Sequence, residues 1–311
     1  MHQYNKILYV SHGVSDEKEG LKQALSLARN NQAPLKILVL IPEFPKDLPE
    51  YKDGFEKSIS ETIQNSVKDI KQQLKIADDA IDISIELAKD KTPTIKIIKQ
   101  VLQKGFDLVI KEAGFRDNKN GFKAVDMDLL RKCPAPLWLC RPITKPRDQI
   151  KVATAIDPES TESAAQDLSE RLLQLSDSLA GTCNKELQIV SCWDYDLEST
   201  LKNSAFVKIP EEEVDQKVEK AKQDHYQKLN ELIKDSGIKG EVTTQHLRGN
   251  PADLIPNFVN EQNIDILVMG TVARTGIAGF MIGNTAENVI QQLSCSLLAL
   301  KPHGFDCPVK L

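Results

Sequence analysis

Apolar positions along this chain fall into two kinds of run, and the two kinds alternate. Ile7-Leu8-Tyr9-Val10 is continuous and ends at Ser11-His12-Gly13. Leu21, Ala24, Leu25 and Ala28 then recur at three- and four-residue spacing, the period of one helix face. Ile37 to Ile41 is again continuous and is closed by Pro42. Ile59, Ile63, Val67, Ile70 and Leu74 trace a second helix, and alternation at Ile81, Ile83, Ile85 and Leu87 predicts a third strand. Pro93 stands where the first turn of a helix carrying Ile95, Ile98, Val101 and Leu102 would start. Phe106 to Ile110 and Leu137 to Cys140 complete five predicted strands. Unbroken apolar runs of this length suit parallel strands covered on both faces.

The same order restarts at Lys151. Strands are predicted over Val152–Ile156, Leu187–Cys192, Val242–Leu247, Ile264–Val268 and Leu297–Leu300. Helices are predicted on the stripe Ala164, Leu168, Leu172, Leu175 and Leu179, after a loop through Pro210, and from Gly249-Asn250-Pro251 onward. Phe106–Ile110 lies over Ile264–Val268 at an offset of 158, and Pro93 lies over Pro251 at the same offset. Pro142 lies over Pro302 at 160, and His12 over Asp157 at 145. A repeat this long is two whole domains. The expected fold class is therefore α/β: two tandem open, mostly parallel five-stranded sheets flanked by helices. We expect a first domain over 1–143, a second over 150–303 and a tail over 304–311, joined by the polar stretch Ile143 to Asp148. In such sheets, ligands bind beyond the carboxyl ends of the strands where strand order reverses, at the tips of the first and fourth strands.

Composition narrows the function classes. The 311 residues carry 41% hydrophobic and 27% charged side chains, ordinary for a globular protein. A net charge of −5 without a basic cluster argues against nucleic acid and against an anionic membrane surface as partners. No apolar run approaches the ~20 residues that span a bilayer. The first six residues lack the features of a targeting segment, so a cytoplasmic location is expected. Cys133, Cys140, Cys183, Cys192, Cys295 and Cys307 have no Cys-x-x-Cys spacing, and buried, reduced thiols are expected. His303 and Cys307 have an i, i+4 relation, but two ligands do not make a zinc site, and a solvated tail is the plainer expectation. No metal cofactor is expected.

The fourth strand of the second unit leads into a segment with chemistry. Gly270 would let the chain turn sharply off the sheet, and Gly283 stands just before a helix carrying Val289, Ile290 and Leu293. Glycine at a helix N-terminus lets backbone N–H groups approach an anion. Asn284 or Thr285 could donate to a phosphate oxygen, and Asp157 could accept from an adenine amine or a ribose hydroxyl. Gly and Asn at a helix start are also ordinary capping chemistry, and Asp-Pro is a common turn.

The spacing resembles that of the universal stress proteins, which place Gly-x-x-Gly-x9-Gly-(Ser/Thr) between the fourth strand and the last helix. Here Gly270 takes the first position and Ala273 the second. Gly283 follows after nine residues, and Asn284 stands in the Ser/Thr place. Asp157 matches the first-strand aspartate of ATP-binding members. The run Gly270 to Ile277, then Gly283 to Ile290, is similar to the tandem E group of that family, as are Leu129 to Trp138 and the final Pro308 to Leu311. The resemblance implies a stress-response protein with a nucleotide site, ATP being the cofactor implied, built from Asp157, Gly270, Thr271, Ala273, Gly283, Asn284 and Thr285. It also implies a pseudo-dimer within the chain, since single-unit members pair through their last strands. The apolar runs at Trp138 and Leu298 suit antiparallel pairing that would remove two exposed edges.

At matched positions the first unit has Glu112, Lys123 and Ala124 in place of Gly270, Gly283 and Asn284, with His12 in place of Asp157. Asp126 and Asp128 at its last helix start would repel a phosphate. Three readings stand: a non-catalytic protein that senses or buffers a small ligand in its second unit, a slow ATP hydrolase using the same loop, or an interaction scaffold. The first is favoured because no nucleophile or positioned base is evident.

Overall fold

The computed structural model describes residues 4–13, 18–89, 92–114, 120–160, 162–203, 209–271 and 282–311. The first half runs β1 (Ile7–Ser11), α1 (Lys18–Asn31), β2 (Leu35–Ile41), α2 (Lys52–Gln73), β3 (Ile83–Lys89), α3 (Pro93–Lys104), β4 (Leu108–Glu112), α4 (Ala124–Lys132) and β5 (Leu137–Cys140). The second runs β6 (Val152–Ala155), α5 (Ser163–Gly181), β7 (Glu186–Trp193), α6 (Glu198–Lys202), α7 (Glu211–Asp235), β8 (Glu241–Arg248), α8 (Pro251–Glu261), β9 (Ile266–Gly270), α9 (Asn284–Gln292) and β10 (Ser296–Leu300). Every strand anticipated from the pattern is present. The five-residue α6 is additional. It carries no apolar period, and Lys202 ties it to Asp215 of α7 at 2.8 Å.

The ten strands form one sheet in the order β3-β2-β1-β4-β5-β10-β9-β6-β7-β8. Pairing within each half is parallel, and β5 meets β10 antiparallel with Trp138 opposite Leu298. The two expected five-stranded sheets are therefore halves of a continuous one. The central strands β1, β2, β5, β9 and β10 are almost wholly buried. That burial explains their unbroken apolar runs. The outer strands β3 and β8 are half-buried and alternate, and β8 (EVTTQHLR) presents a polar edge that discourages pairing with another chain.

Helix ends follow their sequence signals. Asn250 caps α8 by accepting from the Ala252 N–H at 3.0 Å, with Pro251 in the first turn. Gly105 ends α3 with φ +66, its N–H donating to the Val101 carbonyl at 2.9 Å. One apolar layer holds Leu21, Ile59, Leu168 and Leu229 against one face of the sheet. The other holds Ile97, Leu129, Ile255 and Val289 against the opposite face. Both layers include residues of both halves, so neither half keeps its core to itself.

A reciprocal clamp locks the halves together. Just after β5, the buried Arg141 donates to the Cys295 carbonyl (3.2 Å) and the Leu293 carbonyl (3.3 Å) beyond the end of α9, and to the Gly121 carbonyl. Just after β10, the equally buried Lys301 donates to the Leu130 carbonyl (2.6 Å) and the Cys133 carbonyl (2.7 Å) at the end of α4. Cations favour helix C-termini, where carbonyls lack intrahelical donors. Gly121 is constrained here: its φ is +69, and a Cβ would stand 2.5 Å from the Gln291 carbonyl oxygen.

The C-terminal stretch departs from the expected solvated tail. Cys307 is buried, its thiol lying 3.4 Å from the Lys132 carbonyl, and Phe305 and Val309 pack against the core. The apolar side chains among these polar residues are enough to seat the tail. His303 is exposed and 2.9 Å from Asp167, away from any ligand set with Cys307. All six cysteines are free thiols. Burial pushes Cys133 up to about 11 and Cys295 up to about 12, which keeps them protonated and unreactive at neutral pH.

Burial also pulls the Lys301 amine down to about 8. Between that value and the ordinary lysine range, the unfolded chain binds a proton that the folded chain has released. Stability from this group therefore rises with pH through that window and is least below it. Urea unfolding of the wild type and of Lys301→Met should show the wild type gaining on the order of 2 kcal/mol relative to the variant between pH 8 and 10. Parallel pH profiles for the two proteins would refute the assignment.

Candidate functional site

Strand order reverses between β6 and β9, which are hydrogen-bonded neighbours although β7, α7, β8 and α8 separate them in sequence. Their carboxyl ends and the start of α9 enclose a cavity of about 340 Å3. Its wall includes Asp157, Gly270, Thr271, Gly283 and Thr285, so the structure brings together five of the residues singled out from sequence. Asn284 is exposed at the first position of α9 and is not part of the wall. Ala273 lies outside the described residues.

Each of these residues has a definable local role. Asp157 is exposed two residues past β6 and accepts from the Glu159 N–H at 2.9 Å, an Asx turn that fixes the carboxylate at the rim. Gly270 also has a packing role. It is the last residue of β9, and a Cβ there would stand 2.9 Å from Leu168 Cδ2, so its function in the fold is to let α5 pack closely. Thr271 is buried; its N–H donates to the Leu300 carbonyl at 3.0 Å, and its hydroxyl lies 3.4 Å from the same oxygen. It seals β9 to β10 and spends its donors there. The Gly283 N–H donates to the Thr271 carbonyl at 3.1 Å, which pins the two ends of the intervening segment together. Among the described residues, the donors that remain for an anion are the first amides of α9, on Asn284, Thr285 and Ala286, which have no intrahelical acceptor.

Sequence reasoning missed the cavity's apolar floor. Leu168, Ser169 and Leu172 of α5, Val190 and Cys192 of β7, and Ile255 of α8 complete it. The helical stripe containing Leu168 and Leu172 was readable, but nothing in its period distinguishes a cavity wall from a packed core. Burial, aided by the Asp157 charge, pushes the Cys192 thiol up to about 11, so it lines the cavity as a neutral group. Behind it, His225 Nδ1 and His246 Nε2 are 2.9 Å apart, and burial lowers the pKa of both rings. No group of three or more His, Cys, Asp or Glu suited to a metal ion occurs among the described residues.

The matching positions of the first half carry an ion pair. Strand register sets Lys111 over Met269, and the starts of α4 and α9 set Asp126 over Ala286. Lys111 and Asp126 form a buried ion pair at 2.9 Å, and Asp126 also accepts from the Gly114 N–H at 3.1 Å. Glu112, over Gly270, accepts from the Gly20 N–H in the first turn of α1 at 3.1 Å. Asp126 was expected to repel a phosphate by its charge. Lys111 neutralises that charge. Asp128 faces outward, toward Arg131 and Lys132.

This architecture, two α/β halves joined edge to edge with a switch-point cavity, defines a tandem single-sheet class. The universal stress protein family matches residues 3–141 and 149–301, and the chain belongs to that family. It is 29% identical over 320 residues to universal stress protein E of Escherichia coli K12, covering all of this chain and 98% of that one. It is 28% identical over 319 residues to universal stress protein E of Photorhabdus laumondii, covering 100% and 99%. The fold matches a crystal structure of a universal stress protein from Archaeoglobus fulgidus with a TM-score of 0.63 at 18% identity, covering 96% of this chain and 99% of that one. It also matches a protein of unknown function from Pseudomonas aeruginosa PAO1 with a TM-score of 0.69 at 24% identity, covering 96% and 93%.

The first-half ion pair makes a stability prediction. Asp126→Ala alone leaves Lys111 buried without a counter-charge and should cost about 3–5 kcal/mol in urea unfolding. Lys111→Met with Asp126→Ala installs the residues the second half carries, and should recover most of that loss. A double variant no more stable than the single one would show that the pair is not an autonomous plug.

Proposed function

We propose that this protein is a cytoplasmic stress-response protein that binds an adenine nucleotide, ATP, in its second half without turning it over. The observation that carries the reading is convergence. Asp157, the open amides at the start of α9 and an apolar floor meet around one cavity at the strand switch point. The volume lies within the usual range for small-molecule sites. In this reading the base rests against Leu168, Leu172 and Val190, and Asp157 accepts from its amine or from a ribose hydroxyl. The phosphates meet the N-terminal amides and positive dipole end of α9. Thr285 and Gly283 border them, with Asn284 at the first position of α9; Ala273, also of the proposed set, lies outside the described residues. The chain in this reading divides into domains over 1–143 and 150–303, with 304–311 as an appended tail. No helix among the described residues is long and apolar enough to cross a membrane.

Gly283 permits a clean test. Its φ is −57, and among the described residues nothing lies within 4 Å of where its Cβ would be, so none of them requires glycine there. Asp is a good N-cap, so Gly283→Asp should fold at least as well as the wild type while setting a carboxylate where phosphate would sit. Calorimetry with ATP should show binding abolished by Gly283→Asp and weakened by about 1.5–3 kcal/mol by Asp157→Ala. Changes at Lys123 should do little. Undiminished ATP binding by Gly283→Asp would overturn the site.

A further inference from the structure

A second cavity, of about 210 Å3, lies where the two halves meet. It sits over the cross-strand pair Trp138 and Leu298, on the sheet face covered by α1 and α5. These helices belong to different halves and flank the junction from either side. Apolar side chains from both halves line it, including Leu27, Ile143, Leu175 and Leu179. No function read from the strand switch points uses this space.

Three features give the cavity a chemical preference. Trp138 is 3% exposed, and its indole Nε1 has no hydrogen-bond partner among the described residues. An indole N–H is a donor only, so the group that would complete it is an acceptor. The charged lining residues are Glu19, Lys22, Lys145 and Arg147, three cations against one anion. Lys22 is offset by Glu19 at 3.6 Å, and Lys145 by Asp265 at 2.8 Å. Arg147 remains. Its Nε donates to the Thr182 carbonyl at 2.7 Å and its Nη1 to Ser26 Oγ at 3.2 Å, which holds the guanidinium between the end of α5 and α1. Five donors sit on that group, and two are used in these bonds. The volume falls below the ~300 Å3 at which sites for drug-sized ligands begin. It is too small for a nucleotide and suited to a short apolar body.

We propose that this inter-half cavity binds a small monocarboxylate with an apolar tail, a medium-chain acyl or aryl acid. Its body lies against Trp138, Leu175 and Leu298, and its carboxylate takes donors from Trp138 and Arg147. Because the lining comes from both halves, such a ligand would bind only the assembled pair and stabilise it by mass action.

Sodium octanoate, kept below its micelle concentration, is the probe, and the full-length protein labelled with 15N-tryptophan is the reporter. The chain holds two tryptophans, so Trp193→Phe assigns the Trp138 indole resonance. A saturable shift of that resonance is expected. Ser178→Phe, which puts a ring into the cavity from α5, should abolish the shift while circular dichroism and the melting temperature stay near the wild type. Trp138→Phe keeps the ring and removes the donor; octanoate affinity by calorimetry should fall at least about tenfold. Absence of a saturable shift overturns the site. So does a shift that survives Ser178→Phe, which would place octanoate elsewhere, as would its displacement by ATP. Equal affinity for 1-octanol overturns the anionic assignment.

Discussion

The structure depends on one reciprocal contact: each half ends its last strand with a buried cation that caps the last helix of the other. Arg141 reaches the carbonyls at the end of α9, and Lys301 reaches those at the end of α4. The two residues are related by the same offset of 160 that relates β5 to β10. A helix C-terminus buried without donors would leave several carbonyls unsatisfied. Each half therefore carries the other's missing cap. The antiparallel step between β5 and β10 makes this geometry available, because it turns the end of each strand toward the neighbouring half. Arg131 of α4 and Glu287 of α9 add an ion pair across the same seam.

That antiparallel step also separates the two switch points. All strands of one half run opposite to those of the other, so their carboxyl ends face opposite ends of the sheet. A change at one site does not have to be accommodated at the other. The halves have used this freedom by moving small residues between elements. In the second half the small residue is on the strand, Gly270, and α5 fills the space with Leu168. In the first half it is on the helix, Gly20, where a Cβ would stand 3.2 Å from the Cβ of Glu112 on β4. Close packing of helix on strand is kept in both.

The strands and most helices were legible because both faces of the sheet are covered, and burial leaves a simple signature: unbroken apolar runs flanked by periodic stripes. The repeat and the edge pairing followed from register and from the apolar last strands. What escaped was of another kind. Helix α6 rests on the Lys202 ion pairs, which leave no period. The tail's docking rests on a few apolar residues whose partners are far away in sequence. Asp126 looked like a surface charge at a helix start, because its partner Lys111 sits inside an apolar strand pattern where a lysine signals nothing about who neutralises it. Of the candidate site, the polar residues were legible through their spacing. The hydrophobic floor was not, since Leu168 and Ile255 read the same whether they face a cavity or a core.

Glycines separate what the fold demands from what a ligand would demand. Gly121 is required by the fold, since its φ is positive and a Cβ would collide with the Gln291 backbone. Gly270 is required by packing, with Leu168 as the obstacle. Gly283 has an ordinary φ, and among the described residues nothing stands near its Cβ position. At that helix start a serine, aspartate or asparagine would cap better, so the fold alone would favour replacing it. Gly283 borders the cavity at the positive end of α9, which is where the proposed phosphate site would call for it. Lys123 stands at its counterpart in the first half, where α4 carries Asp126 in a buried ion pair with Lys111.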